Sequence, residues 1–152
     1  RMFRHDIDAV NADTFMVLVQ SGNYEPAGRK SWVASIDTFA RSQRAHPARR
    51  VHLWIHSVNS TTMVWDYHHD KSTMHTLWHG ILLRLTLQHA GIPSKMYTLD
   101  ENYHNAGLSM TLKKNPDVCL HTSKSEGFDM VVLECQALGT FVITTDYTVV
   151  HD

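Results

Sequence analysis

The hydrophobic positions of the chain follow two alternating periods. Short runs rich in β-branched residues alternate with longer segments in which apolar residues recur every three or four positions. The first pattern is typical of buried strands and the second of helices with one apolar face. The predicted strands are residues 14–20, 51–56, 95–98, 118–122 and 141–144. The predicted helices are residues 29–44, 72–89, 107–113 and 130–138.

The order of these elements predicts an α/β fold. Strands that alternate with helices form parallel sheets, because each helix carries the chain back to the start of the next strand. We therefore expect a doubly wound, Rossmann-like sheet with helices on both faces. Residues 14–152 form this domain, and residues 1–13 are a linker or an N-terminal extension. The sequence stops after the fifth strand without a further helix to cover the sheet, so we expect a domain truncated at its C-terminus.

Charge and hydropathy exclude several classes of protein. The chain has 152 residues, with 14 Lys+Arg against 15 Asp+Glu and a formal net charge of −1. No excess of positive charge exists to follow a nucleic-acid backbone or an anionic membrane surface. The apolar runs are too short for a transmembrane segment, and residues 1–6 lack the apolar core of a signal peptide. We therefore expect a cytoplasmic protein without a nucleic-acid partner.

The two cysteines favour the same compartment. Cys119 and Cys135 both lie within apolar runs, where a cysteine usually serves as a small hydrophobic residue. Separate thiols of this kind are typical of the reducing cytosol.

The most specific motif is Ser-Lys-Ser-Glu-Gly-Phe-Asp-Met-Val-Val-Leu-Glu at residues 123–134, directly after the fourth predicted strand. Ligands of doubly wound sheets bind at this edge, because loop amides and helix N-termini point outward there. Gly127 allows a ligand to approach the backbone closely. Glu126 and Glu134 can both face one cleft, and carboxylates accept hydrogen bonds from sugar and ribose hydroxyls. Two glutamates at this spacing would, without the surrounding motif, indicate a helix N-terminal carboxylate and a solvated helix residue.

This motif and the Ala-Leu-Gly-Thr at residues 137–140 resemble the retaining glycosyltransferases of the B-type fold (GT-B), family 4 in particular. The resemblance extends over residues 14–146. It implies the C-terminal, donor-binding domain of an enzyme that transfers a hexose from a nucleoside-diphosphate sugar to an unknown acceptor. The acceptor-binding partner domain would lie outside this chain, so the chain alone would be inactive. The resemblance implies no essential metal and no cofactor beyond the sugar-nucleotide substrate.

The resemblance also assigns roles to individual residues after the fourth strand. Glu126 would contact the donor sugar near the reacting carbon as the catalytic carboxylate. The amides of Gly127 and Phe128, which follow Ser125 and Glu126, would hold the sugar or the phosphate. Glu134 would accept hydrogen bonds from the ribose hydroxyls, and Ser125 belongs to the same donor-binding set.

A second part of the resemblance lies after the first strand. Arg29 and Lys30 occupy the place of a basic pair that neutralises the donor diphosphate, and Gly22 begins the same loop. A leaving diphosphate gains negative charge in the transition state, so charge-assisted donors suit it. The plainer interpretation of Arg29 and Lys30 is a solvated helix start. Asp129 and Phe141 depart from the family pattern, which has Gly and Pro there, and Asp129 would put a negative charge near the diphosphate.

The histidines and tryptophans suggest other interpretations. His75 and His79 are four residues apart in a predicted helix and follow the His-His-Asp of residues 68–70, but no glutamate completes an HExxH motif, which disfavours a metal site. His56 and His121 end two strands, where they could meet a substrate or form buried polar strand ends. Core or interdomain packing is expected of Trp32, Trp54, Trp65 and Trp78.

Two rival functions stay open. The first is a non-catalytic module that binds a nucleotide with the same fold. The second is a sugar-nucleotide epimerase or a phosphorylase on the same two-domain scaffold.

Overall fold

The computed structural model describes residues 13–20, 30–57, 72–101, 107, 113, 115–124 and 129–146, with the backbone alone for 72–79. All five predicted strands form. The strands are β1 (Phe15–Gln20), β2 (Val51–His56), β3 (Tyr97–Asp100), β4 (Val118–His121) and β5 (Phe141–Thr144). The helices are α1 (Trp32–Ala45), α2 (Ser72–His89) and α3 (Met130–Ala137).

The five strands form one parallel sheet in the order β3-β2-β1-β4-β5. The chain runs outward from β1 through β2 to β3, then returns to the other side of β1 to form β4 and β5. This reversal of direction defines a doubly wound sheet, so the predicted fold class is confirmed.

Two elements begin two or more residues later than the sequence predicts. The third strand begins at Tyr97 rather than residue 95, because Ser94–Met96 form a 3-10 turn in which the Met96 amide bonds to the Pro93 carbonyl. The first helix begins at Trp32 rather than residue 29, because Ser31 adopts a left-handed conformation at its start. Of the helix predicted over 107–113, Gly107 and Lys113 are described and both are helical.

The sheet buries different cores on its two faces. The face covered by α1 and α2, called the α1–α2 face, buries Val17, Val19, Trp32, Ile36, Phe39, Ala40, Leu53, Ile55, Leu83, Leu87, Ile92, Val118 and Leu120. The opposite face, called the α3 face, buries Met16, Leu18, Trp54, Cys119 and Cys135. Trp32 and Trp54 are core residues as expected, while Trp65 lies outside the described residues and the side chain of Trp78 is not described.

The interpretation of the cysteines as separate thiols is wrong. Cys119 of β4 and Cys135 of α3 form a disulfide, with their Cα atoms 6.6 Å apart. Both side chains are almost fully buried, so the expected apolar environment is correct. The sequence does not show that β4 and α3 pack with these two positions facing each other. The bond removes the support that separate thiols gave to a cytosolic location.

None of the helices in the described part of the chain is long and apolar enough to cross a membrane.

Candidate functional site

The strand order creates a crevice between β1 and β4. These strands are neighbours, with Leu18 opposite Cys119, but the chain leaves them in opposite directions, through α1 to β2 and through α3 to β5. Such a switch point at the carboxyl ends of the strands is where open α/β sheets bind ligands. The two predicted donor-binding segments follow these two strands, at residues 21–30 and 122–128.

Most of the predicted site residues lie outside the described residues. They are Gly22, Arg29, Ser125, Glu126, Gly127 and Phe128. Their roles stay predictions. Lys30 and Glu134 are described, and both are partly exposed.

Hydroxyl groups join the residues directly after the first segment to the first residue of the second. The Thr122 hydroxyl donates to the carbonyl oxygen of Ser31 at 3.1 Å and lies 2.6 Å from the Ser35 hydroxyl. A hydroxyl has a single proton, so Ser35 is the donor in the second bond. The start of α1, directly after Lys30, is therefore fixed to the residue that follows β4.

The backbone at the start of α1 is strained. Ser31 has φ 48° and ψ 41°, a conformation that costs a non-glycine residue on the order of 1–3 kcal/mol. Its side chain does not cap the helix, and the first turn contains no acidic residue. The positive end of the α1 dipole is thus left without a carboxylate in its own first turn, which favours an anion at this place.

A buried polar pair connects β4 with α3. His121 Nε2 lies 3.0 Å from Asp129 Oδ2, and their side chains are 4% and 6% exposed. The other oxygen of Asp129 accepts a hydrogen bond of 3.3 Å from the Val132 amide and caps α3. The carboxylate expected near the diphosphate therefore accepts one hydrogen bond within the fold and lies in close contact with His121.

Glu134 also has a partner that the sequence does not indicate. Its Oε2 lies 2.5 Å from Nζ of Lys113, whose side chain is 3% exposed while that of Glu134 is 29% exposed. A buried ammonium group requires such a counter-charge. A carboxylate offers several acceptor positions, so the pair with Lys113 and a hydrogen bond from a ribose hydroxyl are compatible.

The last residues of four adjacent strands form a polar row on the α3 face. The residue directly before each of them packs in the core of the α1–α2 face, so strand alternation places the following residue on the α3 face. These residues are Gln20, His56, Asp100 and His121. His56, Asp100 and His121 are 2%, 1% and 4% exposed. The two histidines are therefore buried polar strand ends.

Within the described ranges no group of three or more His, Cys, Asp or Glu side chains could hold a metal ion. The side chains of His75 and His79, and residues 68–70, are not described.

A cleft at the opposite, amino edge of the sheet does not coincide with the candidate site. Its volume is about 570 Å³, and its lining includes Asp13, Arg50 and Asp117. Asp117 accepts a hydrogen bond from the Met16 amide, so it has a structural role there. Ligands of doubly wound sheets bind at the carboxyl edge, and we assign the site accordingly.

Comparisons with known proteins identify similar folds. No family model matches the chain, and no curated protein matches its sequence. An α,α-trehalose-phosphate synthase (UDP-forming) from Burkholderia vietnamiensis superposes with a TM-score of 0.72 at 11% identity, over 97% of this chain and 34% of that one. The C-terminal domain of the glycosyl transferase group 1 family protein LpcC from Francisella tularensis gives 0.61 at 15% identity, over 87% and 58%. WaaG, a glycosyltransferase involved in lipopolysaccharide biosynthesis, gives 0.56 at 14% identity, over 92% and 30%.

These similarities concern the fold. The chain has the Rossmann-like domain fold found in these glycosyltransferases, which agrees with the predicted half of a GT-B architecture. It spans about a third of the length of the trehalose-phosphate synthase.

Proposed function

We propose that this chain is the donor-binding domain of a retaining, family 4-like glycosyltransferase that takes a hexose from a nucleoside-diphosphate sugar. One observation carries the proposal: the two segments with donor-binding motifs leave adjacent strands at the switch point and are joined through Thr122. The fold similarity to a UDP-forming synthase supports it and makes UDP the first ligand to test.

The proposed roles follow the charge that develops during transfer. Arg29 and Lys30 stabilise the departing diphosphate, and the positive end of α1 lies beside them in the chain. Glu126 holds the sugar in its reactive geometry, and the amides of Gly127 and Phe128 bind the sugar or the phosphate. These groups supply positive charge and orientation without an essential metal.

The role proposed for Glu134 is acceptance of hydrogen bonds from the ribose. Lys113 supports this role, because its buried ammonium lies 2.5 Å from the carboxylate and holds it in place. Glu134 stands on α3, so it is held by a helix rather than by a loop.

The proposed partner is an acceptor-binding domain that completes the cleft. The chain corresponds to about a third of the synthase it resembles in fold, which leaves room for such a domain in a longer protein. We also propose that transfer takes place in the cytoplasm, where sugar nucleotides would be the donors.

The test is calorimetric titration of the chain with UDP, GDP and ADP. We expect one diphosphate to bind, and Arg29→Ala with Lys30→Ala to weaken binding about tenfold or more, since each charge-assisted contact contributes about 1.5–3 kcal/mol. Failure of all three to bind would contradict the proposed donor site.

Glu134 needs a matched control because Lys113 is buried beside it. Lys113→Met removes the pair but keeps Glu134, while Lys113→Met with Glu134→Gln removes both without leaving a buried charge. We expect the double variant to bind the diphosphate more weakly than Lys113→Met alone. Equal affinities of the two variants would show that Glu134 does not contribute to diphosphate binding.

Turnover separates the rival functions once the acceptor domain is joined to the chain. Release of nucleoside diphosphate that requires an acceptor supports transfer. Epimerised donor without an acceptor would identify an epimerase, and binding without any turnover would identify a nucleotide-binding module.

A further inference from the structure

The pair His121–Asp129 brackets the most specific motif of the chain. His121 is the last residue of β4 and Asp129 directly precedes α3, so residues 122–128 lie between them. Their side chains are almost fully buried and meet at 3.0 Å on the α3 face of the sheet. The contact therefore joins the two ends of this segment directly.

Each end is also held by its own hydrogen bonds. On the strand side, Thr145 donates from its amide to the His121 carbonyl at 3.3 Å and from its hydroxyl to the Ser123 carbonyl. On the helix side, Asp129 accepts from the Val132 amide. The His121–Asp129 contact is the link between these two separately held ends.

Capping alone does not require this arrangement. An asparagine or a serine at 129 could cap α3 without burying a carboxylate. Burial of a charged or strongly polar pair contributes little net stability compared with apolar packing, because both groups lose their hydration. What such a pair supplies is a fixed relative geometry, here between the end of β4 and the start of α3.

We propose that His121 and Asp129 are positioning residues that hold the start of α3 against the end of β4, on either side of the predicted donor-binding motif. This inference rests on the proposed function for its ligand. The pair acts through the backbone, and it gives Asp129 a role that the glycine of the resembled family pattern could not have. Substitution of either residue releases the start of α3 from the end of β4.

The first arm of the test needs no ligand. Asp129→Asn keeps the cap and loses the charge, while His121→Phe loses the contact and keeps the cap. Amide hydrogen exchange, measured by NMR on the full chain, should rise about tenfold at Ser123, Lys124 and Val132 but not at Ile55 in β2, as expected for local opening after a buried polar contact is lost. An equal rise at Ile55, or no change, would overturn the inference.

The second arm measures UDP affinity by calorimetry. We expect each single variant to bind about tenfold more weakly, and the double variant to bind no more weakly than either, because one contact is lost in all three. Ile36→Val, a change in the buried core of α1, controls for general destabilisation and should leave UDP affinity unchanged. If His121→Phe does not fold, Asp129→Asn, which preserves size and cap, provides the test.

The outcomes separate the two proposals. If the unaltered chain binds UDP and the variants bind it equally well, the positioning role is wrong and the donor site stands. If the unaltered chain binds no diphosphate, the proposed function fails, and the exchange arm decides the positioning role by whether the increase is confined to Ser123, Lys124 and Val132.

Discussion

The two faces of the sheet are stabilised in different ways. On the α1–α2 face, two long helices bury a large apolar cluster that includes Trp32, Ile36 and Leu53. On the α3 face, within the described residues, an eight-residue helix buries a much smaller cluster and leaves Met130 and Leu133 exposed. A helix this short is not stable by itself, so its attachment depends on specific contacts.

Those contacts are concentrated on α3. A disulfide joins it to β4. The carboxylate of Asp129, directly before α3, contacts His121, and Glu134 forms an ion pair with Lys113. The comparison indicates that apolar burial stabilises one face, while point contacts fix the geometry of the other. The geometrically fixed face is the one whose helix follows the predicted donor-binding segment.

The largest expected effect on the free energy of unfolding comes from substituting one buried leucine on each face. Leu53 and Leu18 are both almost fully buried, but Leu53 belongs to the larger cluster. We expect Leu53→Ala to lower the free energy of unfolding by about 3–5 kcal/mol and Leu18→Ala by about 2–3 kcal/mol. Urea denaturation measures both, with Val33→Ala on the exposed side of α1 as a control near zero. A larger loss for Leu18→Ala would reverse the comparison.

The disulfide is expected to contribute about as much as a buried leucine on the α3 face. It joins residues 16 positions apart. Closing a loop of this length lowers the entropy of the unfolded chain and so raises the free energy of unfolding by about 3 kcal/mol. Reduction should lower the urea midpoint of the unaltered chain. Cys119→Ala with Cys135→Ala should show the lower midpoint with or without reductant. Identical midpoints for oxidised and reduced protein would contradict the prediction.

Thr122 tests the connection between the two segments at the switch point. Thr122→Val preserves shape but removes the bonds to Ser31 and Ser35, which should cost about 1–2 kcal/mol of stability. UDP affinity should also fall, because the start of α1 is released from the residue after β4. Thr86→Val, which loses an exposed hydrogen bond within α2, is the control and should leave UDP affinity unchanged. An unchanged affinity in Thr122→Val would show that the connection is not needed for binding.

The smallest expected effect on stability is the pH dependence contributed by His52, which lies away from the carboxyl edge of the sheet. Burial lowers the pKa of His52 below its ordinary value of 6.5, and its Nε2 lies 2.9 Å from the Thr98 hydroxyl. Below pH 6.5 the unfolded chain therefore binds a proton more readily than the folded chain, so stability falls as the pH falls from 6.5 toward the lowered pKa. Urea midpoints at pH 7.5 and about pH 5.5 should differ less in His52→Gln than in the unaltered chain. The same difference in both would exclude His52 as a source of the pH dependence.

Hydrophobic periodicity was sufficient to predict the strands, the helices around them and the fold class. It identifies which side of an element is apolar, as for Trp32, Ile36 and Phe39 on α1. It does not identify which residues of different elements meet. The Cys119–Cys135 bond and the Lys113–Glu134 pair both depend on the packing of α3 against its neighbours, which no local pattern encodes.

The candidate site shows the same division. The motif after β4 and the basic pair after β1 are visible in the sequence, and the strand order brings the two segments to adjacent strands. The sequence shows that Asp129 departs from the pattern of the family it resembles, but the contact of Asp129 with His121 depends on three-dimensional geometry. The left-handed Ser31 also has no signal in the sequence, because serine rarely adopts that conformation.

The disulfide has a consequence for proteolysis. Cys119 and Cys135 enclose residues 120–134, so a protease that cuts one peptide bond in this stretch leaves both fragments covalently attached. The nicked protein would migrate as one band without reductant and as two bands after reduction. Covalent continuity of this part of the molecule therefore does not require an intact backbone.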